Sequence, residues 1–468
     1  MDSPSEDLRE SARLLSRRDA LRAVAGTALG VAWGAPALGA TADKPDLARL
    51  HVEAVRWRTT LANRILPYWY DTGIDWKRGG YALADDAVRG RSEPDEKQLV
   101  TQARMVWTFS LVHREGFSTP ERDYLKAARH GVEFLRAAMR DREHGGYFWS
   151  VTPDGRLRDG RKRLYGEAFV VYALVEYHRA SGDPAALKEA LGLYRELQRR
   201  THDAAHQGWM EHFERDWTPL PVGDRNAIVE LAGHKSANTH LHWMEALAEL
   251  YAESRDADVR RSLTEALGLN RRYFYPADPA KSAFHFHPDW SPSTDPSSAG
   301  LSYGHNVEFA WLMIRAEEVL RQGTRFSLHA TPSWAHFHAH VDHALAHGTD
   351  LERGGTYNRG ADNGPATDTS KVWWVQAEMI AALTDGLAHQ PGNMAYQEAL
   401  LRTFQFVDAH MTDARTGIWL DTVTREGAPK STGLAHNWKA NYHDVRALVK
   451  FVNAFHLRPR AMLKPVGR

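Results

Sequence analysis

A glycine turn that returns at a nearly constant interval constrains this chain more than any other feature. It reads Arg78-Gly79-Gly80-Tyr81, His144-Gly145-Gly146-Tyr147 and Gln207-Gly208-Trp209, then Arg353-Gly354-Gly355-Thr356 and Thr416-Gly417-Ile418-Trp419. The steps from Gly79 to Gly145 and on to Gly208 are 66 and 63 residues, and that from Gly354 to Gly417 is again 63. The 146-residue step between the two sets is close to two periods with one degenerate copy. Several copies run on to a second turn, as at Asp154-Gly155 and Glu426-Gly427. A glycine pair, a short extended piece and a second turn predict a small hairpin between helices. A fixed period of this kind means one supersecondary unit stacked many times over.

Between the turns the apolar residues fall at spacings of three and four, over 99–112, 165–179, 239–252, 307–320, 373–387 and 444–455. Each of these reads as the second helix of a pair. A period of roughly 64 residues, repeated over positions 41–468, gives six to seven units. Six helical hairpins closed in a ring, an all-α (α/α)6 barrel, is the expected solution. An open helical solenoid is the alternative, but its repeats are usually shorter, about 34 to 47 residues. The stretch 288–298 is loop-like, yet no linker divides the chain, so residues 41–468 read as a single domain.

The N-terminal segment, positions 1–40, reads differently. Ser16-Arg17-Arg18-Asp19-Ala20-Leu21-Arg22 is a twin-arginine pattern, followed by a mild apolar run from Ala23 to Leu38 and small residues at Ala35, Ala37 and Ala40. The run is too short and too weakly apolar for a membrane span. Export by the twin-arginine route to the periplasm or beyond is the expectation. The absence of cysteine agrees with it, because that route carries proteins already folded by packing alone. Lys plus Arg and Asp plus Glu are both 59, and no long basic tract is present, which argues against a nucleic-acid partner. A monomer or weak dimer acting on a small molecule is expected.

Chemistry concentrates where the inner helices begin. Arg104 lies inside an otherwise apolar segment, so its guanidinium must either pair with a buried acid or face a polar pocket. Asn238-Thr239-His240-Leu241-His242 leads to Glu245, which shares a helix face with His242. Tyr303-Gly304-His305 repeats the theme, with Glu308 three residues on; a carboxylate beside an imidazole is expected to raise its pKa. Trp373-Trp374 with Glu378, and Trp438-Lys439 with His443, complete the set. Imidazoles take and give protons near neutral pH, and tryptophan faces suit the apolar sides of sugar rings.

These segments, in this order, resemble the N-acylglucosamine 2-epimerase superfamily over nearly the whole chain after the leader. Within it, Asn-Thr-His-Leu-His at 238–242, Ser-Tyr-Gly-His at 302–305 and the Trp-Lys and Tyr-His pairs of 438–443 are most similar to the cellobiose 2-epimerases. The resemblance implies an (α/α)6 barrel and epimerisation at C2 of a reducing-end sugar in a β-1,4-linked disaccharide. It makes His305 and His443 the acid/base pair, Arg104 the residue that steadies a cis-enediolate and His242 a third pocket histidine. Trp374 and Trp438 would stack on sugar units, Glu308 would support the site, and Asn238, Tyr165 and Glu378 would belong to its substrate-binding wall. No cofactor and no metal are implied.

Three other readings stay open at this point. A monosaccharide aldose–ketose isomerase shares the enediolate intermediate. A glycoside hydrolase on the same barrel needs two opposed carboxylates, for which Glu211, Glu308 and Glu378 are available. A non-catalytic sugar-binding protein explains the tryptophans but not so many titratable groups. The run His336, His338, His340, His343 and His347 reads as a solvated helix face, not a metal site, and His285 with His287 reads likewise.

Overall fold

All six segments with the three-and-four spacing form helices, each within a few residues of its expected ends. In the computed structural model, which describes residues 47–224, 231–322, 333–361 and 365–456, helices alternate between an outer and an inner position. The outer ones are α1 (Leu47–Thr60) running on into α2 (Leu66–Gly73), then α4 (Tyr124–Phe134), α6 (Pro184–Thr201), α8 (Ala257–Leu269), α10 (Trp334–His343) and α12 (Met394–Phe406). The inner ones are α3 (Leu99–Arg114), α5 (Leu164–Ser181), α7 (Ala237–Ser254), α9 (Tyr303–Gln322), α11 (Trp373–His389) and α13 (His443–Phe455). The leader expected over residues 1–40 lies outside the described residues.

The two sets differ in sequence for a physical reason. Inner helices are covered on all sides; α3 is buried at every position from Leu99 to Val112. A helix buried all round has no polar face to show. Outer helices are amphipathic and start at side-chain caps: Asp123, Asp183, Asp256 and Asn393 each accept a backbone N–H of the first turn. Each inner helix packs on the next around the ring, and α13 returns to α3. Antiparallel pairing of Asp85–Asp86 with Gly433–Ala435, and a bond from Thr108 Oγ1 to the Asn441 carbonyl (3.1 Å), close the circle. This is an (α/α)6 barrel.

The hairpins expected between helices are present and gather at one end, where the inner helices begin. Lys97–Gln98, for example, pairs with Ser150–Val151, which pairs with Leu157–Asp159. The glycine turn is anchored by an aspartate that precedes it. Asp75, Asp141, Asp203, Asp350 and Asp413 each accept an amide from the turn and donate their own to its far side. In four copies a buried lysine, just before the inner helix, reaches back to that aspartate. These are Lys97–Asp75 (2.9 Å), Lys162–Asp141 (3.0 Å), Lys235–Asp203 (2.8 Å) and Lys371–Asp350 (3.1 Å).

The degenerate copy lies between α8 and α9. The closing bond survives, from Ala283 N–H to the Phe274 carbonyl (3.0 Å), but the glycine pair is gone and Leu301 stands in the lysine position. Histidines hold this copy instead. His336 and His340 of α10 donate Nε2–H to the carbonyls of Tyr275 and Pro276, each at 2.9 Å. Both are buried, which corrects the expectation of a solvated histidine face. His285 is buried as well, with Nδ1 2.9 Å from Ser298 Oγ.

Candidate active site

The repeat decides which side chains meet. Counting from Lys97, Lys162, Lys235, Leu301, Lys371 and Lys439, the fourth residue on is histidine in two units, His305 and His443. The seventh is Arg104, Phe169, His242, Glu308, Glu378 or Arg446. Equivalent positions on six inward helices point at one axis, so groups far apart in sequence converge. They enclose a cavity of about 340 Å³. Nine of the ten sequence candidates line it: Arg104, Tyr165, Asn238, His242, His305, Glu308, Trp374, Trp438 and His443. Trp373 also faces the cavity. Glu378 does not, and its expected place in the substrate-binding wall is corrected: it lies fully buried behind His443.

His443 Nδ1 donates to Glu378 Oε1 at 2.6 Å, which leaves the lone pair on Nε2. Glu378 also accepts Trp311 Nε1–H (3.0 Å) and Arg446 Nη2–H (2.7 Å). Burial raises its proton affinity, but Arg446 and His443 outweigh burial and hold it down to about 2. His242 Nδ1 pairs with Glu245 Oε2 at 2.9 Å, as the spacing predicts. His305 differs. The expected His305–Glu308 pair does not form. Glu308 Oε1 accepts from Arg446 Nη2 (2.8 Å) instead, and His305 Nδ1 is buried without a partner among the described residues.

The expected rise in imidazole pKa is also reversed. Burial pushes His305 down to about 3, with the neighbouring His242, Arg359 and His443 acting the same way. His443 falls to about 3 too, since burial outweighs the raising effect of Glu378. Both rings are therefore neutral near pH 7 and able to accept a proton. Arg104 meets no carboxylate among the described residues. It donates to Tyr165 OH (3.0 Å) and lies over the rings of Phe169 (4.3 Å) and Tyr442 (4.9 Å). A guanidinium placed so, in a site with little water, is able to hold a developing oxyanion.

Arg446 is the residue that sequence reasoning missed. Its Nη1 bonds Glu245 (2.5 Å) and its Nη2 bonds both Glu308 and Glu378, so one guanidinium gathers three buried carboxylates. The available signal was an arginine shortly after His443 in an apolar helix, the same oddity as Arg104. Glu308, Glu378 and His443 bring ligand atoms within 4.8 Å of one another, but the Arg446 guanidinium already lies between the two carboxylates and supplies the cation there. Gly304 has its own part: a Cβ there would come within 2.5 Å of the Trp374 ring. Without it, the indole packs near both His305 (4.7 Å between ring centroids) and His443 (5.9 Å).

Comparison with known proteins agrees with this geometry. A sequence model of the N-acylglucosamine 2-epimerase (GlcNAc 2-epimerase) family matches residues 80–447. The cellobiose 2-epimerase of Bacteroides fragilis is 28% identical over 396 residues, spanning 84% of this chain and 96% of its own. The solved cellobiose 2-epimerase of Spirochaeta thermophila is 31% identical and superposes with a TM-score of 0.76, covering 87% of this chain and 98% of that one. A D-mannose isomerase of Thermobifida fusca is 25% identical over 405 residues, spanning 84% and 92%. No helix among the described residues is long and apolar enough to cross a membrane. With its barrel, its histidine-lined cavity and a family match across most of its length, the chain belongs to the N-acylglucosamine 2-epimerase family and is a carbohydrate epimerase or isomerase.

Proposed function

We propose that the protein is a 2-epimerase acting on the reducing-end unit of a β-1,4-linked disaccharide of the cellobiose, mannobiose or lactose type. The observation that carries this reading is the pair of neutral imidazoles, His305 and His443, at repeat-equivalent positions in one cavity and both against the Trp374 ring. Once the sugar is open, one imidazole takes the C2 proton and Arg104 holds the enediolate oxygen. Return of a proton to the opposite face completes the epimer, either from the second imidazole or after rotation about C2–C3. Positioned proton transfer contributes typically about 10² to 10⁴-fold. Trp374 and Trp438 supply apolar faces for the two sugar units.

The same enediolate yields a ketose if the proton returns to C1, so mannose–fructose isomerisation is the second reading, favoured by the D-mannose isomerase relative. A hydrolase fits less well: of the three candidate acids only Glu308 faces the cavity, and Glu211 is tied to Ser236. Incubation with cellobiose, mannobiose, lactose, glucose and mannose in deuterated water, read by NMR, separates these outcomes. Deuterium at C2 with a new 2-epimer supports the first reading and ketose as main product the second. Released monosaccharide sinks both. Export is part of the proposal: periplasmic protein is expected to lack the leader of residues 1–40, and intact N-termini on cytosolic protein alone would refute it.

A further inference from the structure

A pyranose must open before its C2 proton becomes acidic, and opening needs an acid at the ring oxygen as well as a base at O1–H. We propose that Glu308 is that acid, a protonated carboxyl whose Oε2–H donates to the ring oxygen. The inference rests on the epimerase reading above and adds a ring-opening step that the His305/His443 pair does not cover.

Three buried carboxylates share one guanidinium. Glu245 accepts from Arg446, from Tyr442 OH (2.9 Å) and from His242. Glu378 accepts from Arg446, Trp311 and His443. Among the described residues Glu308 has a single donor, the Arg446 Nη2 that it shares with Glu378. One positive charge does not neutralise three buried negative ones, and the carboxylate with fewest donors is the one that keeps a proton. Its second oxygen, Oε2, meets no partner among the described residues, and Glu308 lines the cavity. Burial, with the Glu378 charge next, acts in the same direction and raises its pKa well above the usual carboxyl range.

The step balances within the site. As C1–O5 breaks, its electron pair goes to the ring oxygen, which takes the Glu308 proton and becomes the C5 hydroxyl. The O1–H proton leaves to His242 Nε2, whose lone pair is available because Nδ1 is held by Glu245, and the O–H electrons become the carbonyl π bond. Ring closure after epimerisation runs the same transfers backwards and restores both groups.

Glu308→Gln tests the idea, since the amide fills the same space and still accepts from Arg446 but has no acidic proton. The wild type is expected to accelerate anomer interconversion of freshly dissolved α-cellobiose, followed by NMR. Glu308→Gln should lose that acceleration by about 100-fold or more, with epimerisation falling alongside and cellobiose affinity unchanged. Wild-type acceleration in this variant would overturn the proposal while leaving the epimerase reading intact; a wild type that rearranges none of the sugars removes the reading itself. Should Glu308→Gln not fold, Glu308→Asp decides: retained acceleration is expected from an acid one methylene back. A folded Glu308→Asp protein with none would overturn the assignment.

Discussion

His305 and His443 hold the same place in two copies of one structural unit, yet little around them is alike. His443 is backed by Glu378, which is itself held by Arg446 and Trp311. His305 has no acceptor behind its Nδ1 among the described residues and packs against Phe284 and Trp374. The units that deliver them differ too. The one before α13 retains the aspartate–glycine turn and a buried lysine, Lys439, whereas the one before α9 has Leu301 and leans on His336 and His340. The repeat thus supplies position, and neighbouring units supply the charge that makes equal positions unequal.

Removing each ring is the most direct test of this contrast. His305→Ala and His443→Ala should each cut turnover by about 100-fold or more while circular dichroism stays native. Near-normal activity in either variant takes that histidine out of the acid/base role. A sharper probe is Glu378→Gln, which strips the carboxylate from one histidine only. We expect kcat to fall by about 10- to 100-fold with KM little changed, the usual scale for losing an orienting partner. Deuterium exchange at C2 should drop more for one epimer than for the other; equal losses would mean that the two faces are not served by different rings.

The structural half of the contrast is tested by Lys371→Met, which leaves Asp350 buried with Arg425 as its remaining ion-pair partner. A loss of about 3 kcal/mol in denaturant unfolding is expected. An unchanged midpoint would show the lysine latch to be dispensable, as it is at Leu301. The smallest effect concerns pH. Both rings are held near a pKa of about 3 in the folded chain, against about 6.5 when unfolded. Unfolding therefore takes up protons between those values, so the stability they contribute above about pH 6.5 is lost as pH falls toward 3. His305→Gln and His443→Gln should each flatten the melting temperature against pH; unflattened curves would refute buried neutral rings. The acid limb of kcat/KM should likewise lie below the ordinary imidazole range.

Much of this was legible in one dimension. The glycine period located the six inner helices, because a turn that needs left-handed backbone leaves a mark no other residue conceals. Nine of the ten candidate residues face one cavity because helix starts at equivalent repeat positions share one axis. What escaped was pairing. Glu308 stands one turn from His305 on the same helix face, and that spacing alone suggested a bond. Arg446, distant in sequence, binds the carboxylate instead. Glu378 looked like a pocket acid and proved to be the support behind His443. The histidine run of α10 looked solvated because nothing local reveals that a degenerate turn needs its donors.

The sequence by itself determined the repeating unit, its period and the kinds of group carried to the centre, and pointed to a ring of six, since periodicity and turn chemistry are local properties. The tertiary structure alone decided which carboxylate meets which imidazole, which acid is left with a single donor and which rings stay neutral. Apart from the His242–Glu245 pair, which its spacing on one helix does encode, those outcomes depend on burial and on charges contributed from separate units of the ring.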